Sequence, residues 1–156
     1  MIRGELVSIF VCPAPKQRMV PVQEARAVAG RGLEGDRYHD GTGTYFKPEP
    51  DCHVTLIEQE ALDALARDYK LWMPAEDTRR NLLTRRIPLN HLADKRFRVG
   101  EVELLGHRLC EPCKHLEQVS GQPVRAGLVH RGGLRAEIVR GGMIRAGDAI
   151  ELILAD

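Results

Sequence analysis

Aromatic side chains are scarce in this chain of 156 residues, which contains one tryptophan, three phenylalanines and three tyrosines. Proteins that bind single-stranded nucleic acid usually stack several bases on such rings. The net charge is also small, because 23 basic residues are balanced by 22 acidic residues to give +1 at pH 7. We therefore expect neither a nucleic-acid-binding protein nor one held on an anionic membrane by its overall charge.

No stretch approaches the ~20 consecutive apolar residues of a membrane-spanning helix. Glu5 and the short apolar run that ends at Val11 argue against a signal peptide. Without an export signal, the four cysteines are expected to be reduced thiols rather than disulfides. These features predict a cytoplasmic protein.

Several common motifs are missing, since the chain has no P-loop, no GxSxG and no HxxxH pair among its six histidines. Lysine is scarce too, because 18 of the 23 basic residues are arginine. Arginine binds carboxylates and phosphates in a bidentate manner, although a GC-rich genome also raises its usage without any function. One dense group of arginines predicts an anion-binding site. Its members are Arg79, Arg80, Arg85, Arg86, Arg96 and Arg98.

The hydrophobic pattern predicts a mainly β chain with peripheral helices. Roughly seven or eight short β-rich runs are separated by glycine and proline turns, which favours a β-barrel over a parallel βαβ sheet. One substantial helix is expected over 57–69, with shorter helices over 112–119 and 124–129. Two similar segments, 98–104 and 145–152, each predict a hairpin. Residues 39–51 predict a long loop, either a lid or disordered, and without any linker residues 1–156 form a single domain.

Cys110-Glu111-Pro112-Cys113 is the most distinctive local feature, and several interpretations fit two thiols at this spacing. A structural zinc site needs four ligands, for which His107 and His115 lie nearby in sequence. A redox dithiol needs a thiol pKa lowered at a helix N-terminus. One thiolate that ligates a metal centre carried by a cofactor is a third interpretation. Two partly buried structural cysteines are the fourth.

Arg79-Arg80-Asn81-Leu82-Leu83-Thr84 combines guanidinium groups, an amide and a hydroxyl. If the segment is extended, Arg79 and Asn81 point to the same side and converge on one ligand, such as a phosphate or a pterin edge. A solvated strand edge is the alternative. Arg37, in a glycine-rich turn, is either structural or held toward an anion, and Lys16 is placed to reach the same anion.

Seven segments in order resemble the MOSC domain, the module named after the C-terminal part of molybdenum cofactor sulfurases. They cover nearly the whole chain, and the ordered series is more specific than any one motif. The segments are Gly35–Tyr38, Val54–Glu58, Arg79–Thr84, Arg98–Glu101, Cys110–Cys113, Arg131–Ala136 and Gly142–Asp148.

The resemblance implies a β-barrel of the pyruvate-kinase-barrel-like type that associates with the molybdenum cofactor, molybdopterin, or with a sulfur species. In the amidoxime-reducing relatives a cysteine thiolate ligates molybdenum, and Cys113 matches that ligand. The Arg-x-Asn pair that holds their cofactor matches Arg79 and Asn81. Arg37 matches their turn arginine, and Lys16 matches their phosphate-side lysine.

The chain departs from those relatives in two ways. It lacks their extra N-terminal β-rich domain, so the cofactor pocket is either open or completed by a second subunit, as in a homodimer. Nothing matches the cysteine desulfurase domain of the cofactor sulfurases, so no pyridoxal phosphate is expected on this chain. It looks more like the stand-alone bacterial members of the family.

The leading interpretation is a molybdenum-cofactor-binding oxidoreductase that reduces N-hydroxylated compounds, such as hydroxylamino purines or amidoximes, to amines. The cofactor performs such chemistry while the protein supplies ligand and electrostatics. A separate flavin or iron–sulfur protein would deliver the electrons. The alternative is a sulfur-carrier or cofactor-delivery module, in which a separate cysteine desulfurase loads a persulfide onto Cys113 and no turnover is intrinsic. An ordinary binding domain is the third interpretation.

Overall fold

The protein was analysed as a computed structural model that describes residues 2–43 and 49–154. These residues contain eleven strands and three helices. The strands are β1 (Arg3–Val11), β2 (Val20–Val22), β3 (Glu24–Val28), β4 (Gly32–Leu33), β5 (Val54–Glu58), β6 (Leu82–Arg85), β7 (Arg96–Val99), β8 (Val102–Leu109), β9 (Leu134–Arg140), β10 (Gly142–Arg145) and β11 (Ala149–Leu152). The helices are α1 (Gln59–Tyr69), α2 (Lys114–Ser120) and α3 (Arg125–Leu128).

A closed barrel forms the body of the molecule. Its strands follow the order β11-β7-β8-β9-β5-β6-β1, and β1 pairs with β11 to close the ring. The β5–β6 pair is parallel and is connected through α1, whereas the other neighbouring pairs are antiparallel. The prediction of a mainly β chain that folds as a β-barrel with peripheral helices is confirmed.

The predicted strand count was too low, because four short strands lie outside the barrel. β10, β3 and β4 form a small second sheet. β2 pairs with the C-terminal end of β1, outside the ring of barrel strands. These strands span two to five residues. Such short runs carry too few alternations to stand out in the sequence, so they merge with the surrounding turns.

The barrel interior is filled by apolar side chains. Along β9, Leu134, Ala136 and Ile138 are buried inside, while Arg135 and Glu137 alternate to the outer face. Small barrels close around their own side chains in this way, and each buried leucine or isoleucine contributes about 1.5–3 kcal/mol. A ligand site therefore has to lie on the outer face of the wall.

The three helices cover part of that outer face with a second apolar layer. Leu65 of α1, Leu116 of α2 and Leu128 of α3 pack against Ile57 and Leu83 of the wall. The predicted long helix is thus present, and it ends where Lys70 adopts a left-handed conformation. The two shorter helices begin one or two residues later than the sequence suggested.

The predicted hairpin over 98–104 is present as β7–β8. The hairpin predicted over 145–152 is wrong, because β10 pairs with β3 while β11 pairs with β1 and β7, so the turn between them joins two different sheets. Of the predicted loop over 39–51, residues 44–48 lie outside the described residues, and a short 3-10 helix spans Pro50–Cys52. Within the part of the chain that the structure describes, no helix is long and apolar enough to cross a membrane.

Candidate functional site

A narrow pocket of about 60 Å³ opens on the outer face of the barrel wall, beside the helical layer. Thr55 of β5 and Arg135 of β9 face each other in register at its base. Two wider clefts, of about 430 and 460 Å³, lie elsewhere on the surface. The narrow pocket is the better candidate because it collects four arginines, two cysteines and a histidine: Arg37, Arg79, Arg80, Arg135, Cys110, Cys113 and His115.

Arg37 is held at the pocket by a buried carboxylate. Asp36 is fully buried, and its Oδ1 accepts hydrogen bonds from the backbone N–H of Cys12 at 2.9 Å and from Arg37 Nη1 at 3.3 Å. The guanidinium of Arg37 also lies 4.7 Å from the centre of the Tyr38 ring. A buried ion pair with further hydrogen bonds is rigid, so this turn presents Arg37 in one orientation.

Arg79 reaches the pocket by an unexpected backbone conformation. Its φ is 64°, because it ends a 3-10 helix over Ala75–Thr78, and β6 starts only at Leu82. The sequence predicted that successive side chains from Arg79 onward point to opposite sides of a strand. This prediction is wrong, because Arg79 and Arg80 line the same pocket. Arg79 Nη1 donates to the carbonyl of Gln17.

Arg80 connects three loops through their carbonyl oxygens. Its Nε donates to Gly132 at 2.8 Å, Nη2 to Cys110 at 2.9 Å and Nη1 to Thr78 at 3.2 Å. The loops approach closely at this point, since a Cβ on Gly132 would collide with the carbonyl of Cys110. Arg80 thus fixes the segment between the two cysteines.

Asn81 is buried beneath the pocket and joins two strands. Its Oδ1 accepts from the backbone N–H of Thr55 at 3.1 Å and from Thr55 Oγ1 at 3.2 Å, while its Nδ2 donates to the carbonyl of Phe10 at 3.1 Å. The side chain is absent from the pocket lining. The structure therefore brings Arg79 to the pocket but leaves Asn81 one layer below, behind Thr55.

The two cysteines differ in exposure although both line the pocket. Cys110 is 4% exposed, whereas Cys113 is exposed and immediately precedes α2. Glu111 between them accepts from both the backbone N–H and Nδ1 of His130, each at 2.7 Å. The segment is therefore held on two sides, with the Cys113 thiol on the accessible one.

The zinc interpretation of this segment is not supported. His107 lies on the barrel wall, where its Nε2 is 3.0 Å from a carboxylate oxygen of Glu137. Among the described residues, no group of three or more histidine, cysteine, aspartate and glutamate side chains converges on a metal position. The ligands that zinc requires are thus not brought together.

The pocket carries a positive electrostatic field. The pKa of His115 is lowered, first by burial and then by the charges of Arg79, Lys16 and Arg37. Lys16 lines an adjoining cavity of about 290 Å³, and Arg79 lines both cavities. Lys16, Arg37 and Arg79 therefore act on one region, which favours an oxyanion such as a phosphate.

Four of the six clustered arginines do not belong to this site, so that part of the anion-site prediction is wrong. They project from the outside of the barrel and pair with carboxylates of neighbouring strands. The pairs are Arg85–Glu5 at 2.7 Å, Arg86–Glu5 at 2.9 Å, Arg96–Glu103 at 2.8 Å and Arg98–Glu151 at 3.7 Å.

Two pocket residues, Arg135 and Thr55, were not singled out as site residues in the sequence, and His115 was considered only as a zinc ligand. Arg135 follows the regular alternation of β9 on its outer face, so the local pattern gives no signal that separates it from an ordinary surface residue. His115 follows Cys113 by two positions at the start of α2, and Thr55 alternates with buried neighbours on β5. In each case the convergence depends on strand pairing that the sequence does not reveal.

Comparison with known proteins gives a consistent result. The family model described as "MOSC domain" matches residues 36–151. The solved YUAD protein from Bacillus subtilis has a TM-score of 0.81 at 16% identity, over 99% of this chain and 97% of that one. YiiM from Geobacillus stearothermophilus has a TM-score of 0.74 at 14% identity, over 97% and 75% of the two chains.

YiiM from Escherichia coli has a TM-score of 0.72 at 18% identity, over 100% of this chain and 72% of that one. At these identities the structural likenesses establish the fold alone. No curated protein sequence matches this chain.

Proposed function

Because this chain belongs to the MOSC domain family, we propose that it binds the molybdenum cofactor and reduces N-hydroxylated compounds, such as hydroxylamino purines or amidoximes. The observation that carries the proposal is the accessible thiol of Cys113, which shares one pocket with Arg37 and Arg79. A soft thiolate beside guanidinium groups suits a group that contains both a soft metal centre and a phosphate.

The donor set of the pocket fits molybdopterin in its chemistry. Cys113 offers the thiolate, and Arg37, Arg79 and Lys16 offer cations for the phosphate. The pocket of about 60 Å³ is smaller than the ~300 Å³ at which small-molecule sites usually begin. Since Arg79 lines both this pocket and the adjoining cavity of about 290 Å³, movement of its side chain would join the two.

The residues of the chain have distinct proposed tasks. Cys113 ligates the metal, Lys16, Arg37 and Arg79 hold the phosphate, and Asn81 orients the pocket from below through Thr55. When bound, the cofactor supplies a redox centre that delivers two electrons to the N–OH bond. The overall reaction adds two electrons and two protons to the N–OH group and yields an amine and water.

Several further features belong to this proposal. A separate flavin or iron–sulfur protein supplies the electrons, because the described residues provide no group of ligands that would hold a cluster. If the pocket of one copy is too open to hold the cofactor, a second copy of the chain completes it in a homodimer. A cytoplasmic location is in keeping with four cysteines that form no disulfide among the described residues.

A sulfur-carrier role is the second candidate function. It is favoured by the small volume of the pocket and by the contrast between an accessible Cys113 and a buried Cys110. In that role a separate cysteine desulfurase transfers a sulfur atom to the Cys113 thiolate, which then holds it as a persulfide. The protein would contain cyanide-labile sulfur and no molybdenum.

The test is a reductase assay on protein produced in a host that makes the cofactor, with reduced methyl viologen as electron donor. We expect 6-hydroxylaminopurine to be converted to adenine by the wild-type protein. Cys113→Ala and protein from tungstate-grown cells are expected to be inactive. Molybdenum-loaded protein that fails to convert 6-hydroxylaminopurine and benzamidoxime would contradict the reductase proposal.

A further inference from the structure

The polar side chains that line the pocket differ in whether the protein already supplies their partners. Arg80 donates to three carbonyls, and both carboxylate oxygens of Glu111 accept from His130. The hydroxyl of Thr55 is bonded to Asn81. Arg37 likewise donates to Met19 Sδ, to Asp36 and to the carbonyl of Arg79.

Arg135 differs from these residues. Its side chain is half-buried and lines the pocket, yet it has no hydrogen bond or ion pair within residues 2–43 and 49–154. A guanidinium has five N–H donors, and leaving them without an acceptor in a partly desolvated site is unfavourable. The donors of Arg135 are thus available to a ligand.

The position of Arg135 in the sheet adds a second unfavourable contact. Across the β8–β9 ladder it pairs in register with Arg108, and like charges directly opposite are destabilising. Arg108 is neutralised by Asp51 at 2.8 Å, whereas Arg135 is not. Arg135 disfavours folding at this position, and its presence there is best explained by binding to a ligand.

Arg135 belongs to a different part of the fold from the cations assigned to the cofactor phosphate. The charges that act on His115 are those of Arg79, Lys16 and Arg37. Arg135 is instead paired with Thr55 on the barrel wall. Arg135 thus reaches the pocket from the barrel wall, whereas Arg37 and Arg79 reach it from the loops.

We propose that Arg135 binds a phosphate monoester of the substrate, so that the preferred N-hydroxylated substrate is a nucleotide rather than a free base. This inference rests on the proposed function, because it concerns the substrate of the same pocket. The planar guanidinium forms two parallel hydrogen bonds to phosphate oxygens, which selects for the phosphorylated compound.

Binding to protein made without the cofactor gives the first test. In calorimetric titrations, wild-type protein should bind adenosine monophosphate, whereas adenosine should bind roughly 10- to 100-fold more weakly. Arg135→Gln should reduce the affinity for the nucleotide to that for the nucleoside. Arg108→Gln is the matched control, because it removes the opposing arginine of the same ladder and should leave the preference intact. Equal binding of nucleotide and nucleoside by the wild type would overturn the proposal.

Turnover gives the second test. The ratio of kcat/KM for N6-hydroxyadenosine monophosphate over N6-hydroxyadenosine should be roughly 10 or more in the wild type and about 1 in Arg135→Gln. Molybdenum content should be equal in the two proteins. If Arg135→Gln loses molybdenum, the oxyanion is the phosphate of the cofactor and the substrate proposal is wrong.

These tests separate the inference from the proposed function. A wild-type protein that turns over both compounds equally well would retain the reductase and refute the nucleotide preference. Nucleotide binding that depends on Arg135, in a protein without any reductase activity, would refute the reductase and retain the phosphate site.

Discussion

Arg80 and Arg135 line the same pocket, but the protein uses them differently. Every terminal nitrogen of Arg80 donates to a carbonyl of the surrounding loops, whereas Arg135 has no partner among the described residues. The first arginine builds the pocket, and the second is available to what enters it. Position in a pocket is therefore a weaker guide to function than the accounting of each group's hydrogen bonds.

The largest effect is expected on stability when Arg80 is changed. Arg80→Met leaves the carbonyls of Gly132 and Cys110 without their partners, and we expect a loss of about 3–5 kcal/mol in the free energy of unfolding. Urea denaturation measures this loss. Arg135→Met is the matched variant and should lose no stability, with a gain of up to about 1 kcal/mol, because it removes a guanidinium that lacks partners and faces Arg108. Equal losses in the two variants would contradict the different roles of Arg80 and Arg135.

A smaller loss of stability is expected for Asn81. Asn81→Ala removes the amide that accepts from Thr55 and donates to Phe10, at a cost of about 2 kcal/mol. The same urea titration measures it, with Thr55→Val as a variant that removes one hydroxyl and should lose less. If Asn81→Ala kept full stability but lost cofactor, Asn81 would contact the cofactor directly rather than act from below.

The smallest predicted effect concerns the charge of His115. Its pKa is lowered by burial and by Arg79, Lys16 and Arg37, so its ring loses its proton at a lower pH than an ordinary histidine. In Arg79→Gln the pKa of His115 should rise toward that of an ordinary histidine. In Arg135→Gln it should stay where it is. NMR titration of the His115 ring distinguishes the two variants, and an upward shift in both would show that Arg135 acts on the same region as Arg79.

Much of the barrel could be predicted from the sequence because its signals are local. Alternation over 134–140 and glycine turns at 100 and 147 depend only on neighbouring residues, and these elements are present. The tiny strands β4 and β10 were missed because strand pairing, not composition, defines them. The left-handed conformation of Arg79 was missed for a similar reason, since loops around it impose a φ that arginine rarely adopts.

The site was predicted only in part. The segments carrying Cys113, Arg37 and Arg79 have recognisable local patterns, and the structure brings these three side chains to one pocket. Arg135 enters through the pairing of β5 with β9, which joins residues 80 positions apart in sequence. The four surface arginines were grouped by sequence proximity, although their partners lie on neighbouring strands.

The most direct test of the central claim is the molybdenum content of three proteins purified from a cofactor-competent host. Wild type and Cys110→Ala should both retain molybdenum, with a milder loss in the latter, whereas Cys113→Ala should contain none. Equal losses in the two variants would contradict the assignment of Cys113 as the single ligand. Absence of molybdenum from all three, together with cyanide-labile sulfur in the wild type, would contradict the reductase and favour the sulfur carrier.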